Sequence, residues 1–492
     1  MIHSRTAKVL ILSSGSMLTA LVAILSGAVL TRLLTQVDFG TYRQGLLAMS
    51  FAVPFVALGL DRVLFVFLPG EPERPRAVLV ENLILLVAGG GLLTLFAAVG
   101  GDHLLARRFN NPGLASILAW FAPYALFFLP AMAVSGCLMA CQRAQTLAAY
   151  NVISRVINFL LIVALVWFWR TPTAALLGVL MGTAINSFAG GWLMWRACPR
   201  SDWHPSAAGL RRQIAFAIPL GLASLVGSLS QSMDQMIVSL RCTTAQFAVY
   251  TVGAMEIPLI GVITGSITSV VLVDYARFFR EGQLDEIVRL VQLAMSRSAL
   301  ILLPAMMLLW VLAPFLMRVL YGPAYAWAAV PFRIYLLLLP VRTLTFGAVI
   351  QATGSSRPIL IQSLLSLGLS ATAGWVLTGW LGPAGAAAAS VSVTYLFVVP
   401  FLILVLRRRL NTPAGAIFPW AALARTLSAA LLAAMASALV LAWGQLGNVG
   451  SLLLGVTVFV PIVGYALIKF GAMDRDLLRS LVGRFLPGPT AG

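Results

Sequence analysis

Residues 28–45 read AVLTRLLTQVDFGTYRQG, and the part that decides the architecture is Phe39-Gly40-Thr41-Tyr42-Arg43-Gln44-Gly45. The same spacing, Phe-x-x-Tyr-x-x-Gly, returns at Phe247-Ala248-Val249-Tyr250-Thr251-Val252-Gly253, 208 residues later. Each copy follows an apolar stretch that closes on an arginine, Arg32 and Arg241. A second marker keeps nearly the same offset: Leu129-Pro130 and Leu339-Pro340 lie 210 residues apart. Self-similarity at a fixed offset is the signature of an internal repeat.

The chain around these markers is built for lipid. It has 492 residues, of which 60% are hydrophobic and only 10% charged, with a mean hydropathy of +0.96. Soluble domains carry roughly 25% charged residues, so this composition predicts an integral membrane protein. A spanning helix needs about 20 mostly apolar residues. Fourteen stretches qualify, near 9–31, 45–69, 81–100, 114–140, 146–169, 173–195, 213–240, 247–273, 292–318, 329–351, 358–380, 384–406, 418–442 and 449–470. The N-terminal stretch has no A-x-A-like cleavage site ahead of a soluble domain, so it reads as a first span and not as a cleaved signal.

Six stretches separate the two copies of the motif. Six is even, so both copies enter the membrane in the same direction. The predicted fold is therefore an all-α membrane protein with about 14 transmembrane helices. It comprises two six-helix bundles, 1–200 and 201–410, related by a pseudo-two-fold axis along the membrane normal. Two additional helices and a tail, 411–492, complete it. The net charge is +18, and apart from Lys8 and Lys469 all the basic charge is arginine. With the N-terminus in the cytoplasm, twenty basic residues fall on the inner side and eight, including Arg32 and Arg43, on the outer side. The positive-inside rule favours that orientation and puts both termini in the cytoplasm. The arginines are scattered between apolar runs and form no nucleic-acid-binding stripe.

Ionisable residues inside spans are costly and usually face a cavity or a partner. Arg62, Arg155, Arg297 and Arg342 lie about 9–15 Å from the inner end of their spans, at 1.5 Å per residue. They are candidate substrate-binding groups of a cationic inner cavity, because a guanidinium suits phosphate or pyrophosphate and stays charged when partly buried. For Arg62 and Arg297 the alternative is snorkelling to the interface. Asp61 precedes Arg62, but helix neighbours point about 100° apart and make no obvious pair. The stretch GSLSQSMDQMIVSL is the most polar span segment. Its Gln231, Asp234 and Gln235, with Glu256 in the next span, are candidates for contacting sugar or coupling an ion; a satisfied helix–helix hydrogen bond is the alternative. Arg32, Asp38, Tyr42 and Tyr250 are assigned to an outer gate. Arg425, outside the repeat, reads as structural or lipid-facing.

Other chemistry finds no support. There is no Walker motif, since neither lysine follows a glycine, and no HExxH or G-x-S-x-G. His3, His103 and His204 lie far apart. Cys137 and Cys141 share a helix face and read as packing, no zinc-type CxxC pair exists among the four cysteines, and no metal ligands or cofactors are expected.

Four stretches carry a resemblance. They are LTRLLTQVDFGTYRQG, SMDQMIVSLRCTTAQFAVYTVG, LYGPAYAWAAVPFRIYLLLLP, and the run from QATGSSRPILIQS through GWLGPAGAAAASVSVTYLF. In order and spacing they resemble the polysaccharide-transporter branch, the Wzx-type O-antigen and exopolysaccharide flippases, of the multidrug/oligosaccharidyl-lipid/polysaccharide flippase superfamily. The resemblance implies alternating access, no enzymatic activity, and a bacterial cytoplasmic (inner) membrane location. The implied cargo is an undecaprenyl-pyrophosphate-linked oligosaccharide, carried from the inner to the outer leaflet by a monomer. Membrane lipids, a polysaccharide polymerase and chain-length proteins are the implied partners. One departure stands out: Ala248 replaces the glycine of Phe39-Gly40. The competing readings are a cation-coupled multidrug exporter of the same fold, which would favour carboxylates over arginines, and a membrane-embedded polysaccharide polymerase or ligase, which would need a large outer loop that this chain lacks.

Overall fold

The computed structural model describes residues 18–472 apart from 20, 256, 354–356, 445 and 446. Among the described residues there is no strand. Helices α1 (Leu21–Leu33), α2 (Gln36–Ala57), α3 (Leu60–Gly70), α4 (Pro75–Phe96), α5 (Asp102–Arg108), α6 (Gly113–Phe121), α7 (Tyr124–Ala140), α8 (Ala144–Trp169), α9 (Pro172–Ala197), α10 (Ala207–Arg241) and α11 (Thr244–Gly253) come first. They are followed by α12 (Pro258–Arg280), α13 (Leu284–Tyr321), α14 (Ala329–Leu336), α15 (Leu339–Arg342), α16 (Phe346–Ala352), α17 (Arg357–Leu381), α18 (Pro383–Val393), α19 (Val399–Leu410), α20 (Ala414–Ile417), α21 (Trp420–Trp443) and α22 (Asn448–Lys469). Among the described residues nine helices are long and apolar enough to cross a membrane, or twelve if each of three bent pairs is one span.

The bends fall where the sequence carries proline. The pair α6–α7 bends by 50° just before Tyr124, and the helices around Pro340 bend by 43°. Pro123, Pro258 and Pro340 each stand at the start of a new helix, where a missing N–H is not needed. The two stretches that share the Leu-Pro marker are thus both bent pairs.

The chain divides into two compact units, Met1–Val252 with Ser363–Ala386, and Gly253–Gln362 with Ala387–Gly492. The first unit has a core of α3, α4 and α7, built on Val63, Leu64, Val78, Leu79, Leu86, Leu129, Ala133 and Leu138. The second has two cores. In one, Tyr275 and Phe346 are fully buried among α12, α13, α16 and α19, and the Tyr275 and Thr345 hydroxyls hydrogen-bond at 2.9 Å. In the other, α21 and α22 pack on α13 through Ala429, Ala433 and Phe459. Arg425 reaches the Gly471 carbonyl beyond the end of α22, at 3.5 Å.

The motif residues are helical, not a connecting turn. Thr35 caps α2: its hydroxyl accepts from the Asp38 N–H at 3.2 Å and donates to the Asp38 carboxylate at 2.6 Å. This reciprocal cap starts the helix at Gln36, nine residues before the apolar stretch. Asp38 is therefore a cap residue, and Tyr42 and Arg43 lie in the second turn of a spanning helix. Gly40 is required by close approach. A Cβ there would stand 2.2 Å from the Thr244 carbonyl oxygen, where α11 begins. Its counterpart in the second copy, Ala248, is fully buried.

Between α2 and α3, Leu58 (φ 37°) and Gly59 (φ 79°) adopt left-handed backbone and open the helix. Gly221 of α10 enters this break so closely that a Cβ would lie 2.1 Å from the Leu58 carbonyl. Gly221→Val is expected to lower stability by about 3 kcal/mol, the upper range for overpacking. An apparent Tm in detergent equal to wild type would show that α10 can move off the break.

Candidate functional site

Within the first unit, α1, α2, α7, α8 and α9 enclose an open cavity of about 680 Å³, within the usual range for ligand pockets. Its wall is polar on the α8 side. Tyr150, Asn151, Ser154, Arg155 and Asn158 recur at three- and four-residue spacing and so share one face. Tyr42 and Arg43 come from α2, Tyr124 and Phe128 from α7, and Thr183 and Asn186 from α9. Among the described residues no aspartate or glutamate lines it.

Close helix packing fixes this wall. On α9, Gly178 and Gly182 stand four apart; a Cβ on either would collide with Ile162 or Asn158 of α8. Small residues at this spacing let membrane helices approach backbone to backbone. The Tyr150 hydroxyl donates to the Asn186 carbonyl at 3.0 Å, and the Asn186 amide donates to the Ser154 carbonyl at 3.3 Å. Tyr124 stacks between Phe121 and Phe128, with centroids at 4.6 and 5.0 Å. Asn158 is different: its Oδ1 is buried against Gly182 with no hydrogen-bond partner among the described residues. Arg155 is exposed to the cavity and makes no ion pair or hydrogen bond among the described residues.

Of the residues singled out from the sequence, the cavity gathers Arg155 and Tyr42. Tyr42 is 6% exposed, packed beside Phe39. Arg62 lies on α3 outside this wall, 57% exposed and 3.9 Å from Asp61, so adjacent residues do form a loose ion pair. Arg297 and Arg342 belong to the second unit and are exposed. Gln231, Asp234 and Gln235 lie on α10, away from the cavity wall. Asp234 accepts a hydrogen bond from the Tyr250 hydroxyl at 2.8 Å, which ties the buried second copy of the motif to the polar segment before it. Arg32 is exposed at the end of α1. Glu256 lies outside the described residues.

Arg43, Tyr124, Tyr150, Asn151, Ser154, Asn158 and Asn186 were not singled out. Two signals were available. The polar residues of span 5 repeat with helical period, and Gly178-Val-Leu-Met-Gly182 is a small-xxx-small motif. Weighing isolated charges and the polar run of span 7 passes over both.

Residues 29–330, which hold most of this cavity, match the family described as polysaccharide biosynthesis protein. The chain belongs to that family. No curated protein matches it in sequence. Among solved structures it is similar to the lipid II flippase MurJ in an inward closed conformation, with a TM-score of 0.72 at 14% identity, covering 96% of this chain and 100% of that one. It is also similar to an inward-facing multidrug-resistance MATE transporter of the MOP superfamily, with a TM-score of 0.64 at 15% identity over 82% and 98% of the two chains. A third is a MOP-superfamily transporter from Pyrococcus furiosus described by the reverse polarity of its binding pocket, with a TM-score of 0.57 at 15% identity over 82% and 95%. At these identities the likeness is one of fold. This member of the polysaccharide biosynthesis family is a multi-pass membrane protein that shares the fold of these structures.

Proposed function

We propose that the chain is a flippase for an undecaprenyl-pyrophosphate-linked oligosaccharide, the repeat unit of an O-antigen or exopolysaccharide. It takes this lipid from the inner to the outer leaflet of the bacterial cytoplasmic membrane by alternating access of two six-helix bundles, with both termini in the cytoplasm. The observation that carries the reading is the cavity of the first unit, which has Arg43 and Arg155, three tyrosines, side-chain amides and, among the described residues, no carboxylate. Guanidiniums match an anionic pyrophosphate, and hydroxyls, amides and aromatic faces match sugar rings. A cation exporter would need acidic groups on the same wall. In this reading Arg62, Arg297 and Arg342 are further candidate contacts for the anionic cargo, and Arg32, Asp38, Tyr42 and Tyr250 are candidate gate residues.

The test is reconstitution. Vesicles containing the protein and a fluorescent undecaprenyl-pyrophosphate oligosaccharide are expected to expose the inner-leaflet pool to an impermeant glycosidase, whereas protein-free vesicles do not. Equal protection of that pool in both, together with proton-driven efflux of organic cations, would overturn the flippase in favour of the drug exporter.

A further inference from the structure

The cysteines that the sequence offers as a packing pair acquire a third member in the fold. Cys137 and Cys141 lie at the end of α7, and Cys198 lies at the end of α9, 61 residues after Cys137. All three sulfurs are within 4.8 Å of one another, and Cys137 and Cys198 stand 3.6 Å apart. Cys137 and Cys198 are buried, Cys141 is half-buried, and all are free thiols. A metal bound about 2.3 Å from each thiolate holds its sulfurs about 3.8–4.0 Å apart, within the spread seen here.

The surroundings favour a cation held by anionic sulfur. Cys141 and Cys198 occupy the C-cap positions of α7 and α9, so two helix ends bring their thiols to one point. Two guanidiniums act on the cluster, Arg143 on Cys141 and Arg76 on Cys198. The Arg76 Nε is buried with no hydrogen-bond partner among the described residues, although its guanidinium stacks on Trp195 at 4.7 Å. Three thiolates around a monovalent ion carry two negative charges, and these two arginines carry two positive ones.

We propose that Cys137, Cys141 and Cys198 form a three-coordinate site for monovalent copper. Soft thiolates select Cu(I) and Zn(II) over harder ions. Zn(II) would need a water or another group as its fourth ligand, since among the described residues no histidine or carboxylate joins the three sulfurs. Cu(I) is satisfied by three. Binding releases up to three thiol protons to water, and the copper stays Cu(I), so no oxidant is needed. The site is separate from the cavity and does not depend on the flippase reading.

The full-length chain, reduced and purified in detergent, is loaded with Cu(I) without oxygen and gel-filtered, and its metal is measured by mass spectrometry. The expected result is one copper per chain in wild type and in Cys242→Ser, with sulfur-only X-ray absorption. Cys137→Ser and Cys198→Ser should retain none. Cys141→Ser removes a half-exposed thiol with little effect on packing, and should hold copper at least tenfold more weakly against a Cu(I) chelator. Wild-type copper no higher than in the triple serine variant would overturn the site. So would retention of Zn(II) in preference to Cu(I), or undiminished affinity in Cys141→Ser.

Discussion

Arg155→Ala is expected to abolish surface polysaccharide when it replaces the wild-type gene, while the protein remains in the membrane at its normal level. The guanidinium faces the open cavity and has no partner among the described residues, so its removal breaks no contact that holds α8. What is lost is a charge-assisted hydrogen bond to the cargo, worth about 1.5–3 kcal/mol, or roughly 10- to 150-fold in affinity. Arg155→Lys keeps the charge but not the planar fork, so partial export is expected. The check is surface polysaccharide against protein level by immunoblot. Normal polysaccharide in Arg155→Ala would remove the cavity's cation from the mechanism.

The second large effect is one of stability. Glu81 of α4 is 1% exposed. Its carboxylate accepts from the Ser206 N–H and hydroxyl, both at 2.9 Å, from Arg74 at 3.2 Å and from Gln213 at 3.3 Å. Beside it the Asn82 amide donates to Gln213 and to the Leu60 carbonyl. Gly209 leaves room for the carboxylate, since a Cβ there would lie 2.1 Å from it. The network joins the first turns of α10 to α4 within one unit. Glu81→Ala takes the acceptor from the Ser206 N–H, the buried Gln213 amide and the part-exposed Arg74, so a loss of about 3 kcal/mol is expected, the upper range for an unsatisfied buried group, read as a lower apparent Tm in detergent and reduced membrane level. Glu81→Gln keeps the shape and most acceptors, and should lose about 1–3 kcal/mol. A wild-type Tm for Glu81→Ala would mean that water replaces the carboxylate and that the network contributes little to holding α10.

The Arg155 and Glu81 cases differ in how far the sequence announces them. Arg155 stands alone in an apolar stretch, and a guanidinium in that setting calls for a cavity or a partner on sequence grounds alone. Glu81 lies at the start of an apolar stretch and looks like an interfacial charge. Its partners Ser206 and Gln213 are more than 120 residues away, and no local pattern joins them to it. The motif at Phe39–Gly45 lies between these cases. Its recurrence signals a repeat, but the Thr35–Asp38 cap moves it from a turn into a helix, and burial turns Tyr42 inward to the cavity wall.

The amino-acid sequence by itself determined the class of molecule and the positions of its helices. Twenty-residue apolar runs admit no other solution in lipid, and prolines mark several of their breaks. It also determined that the first half carries a cation within span 5. Only the tertiary structure decided which polar side chains share a wall with that cation. Residues 42, 124, 155 and 186 lie on four different helices, and which faces meet depends on the close approach that Gly178 and Gly182 allow. The same holds for the third thiol, Cys198. Helix ends far apart in the chain come together through packing of whole helices, and packing is a property of surfaces that no short stretch encodes.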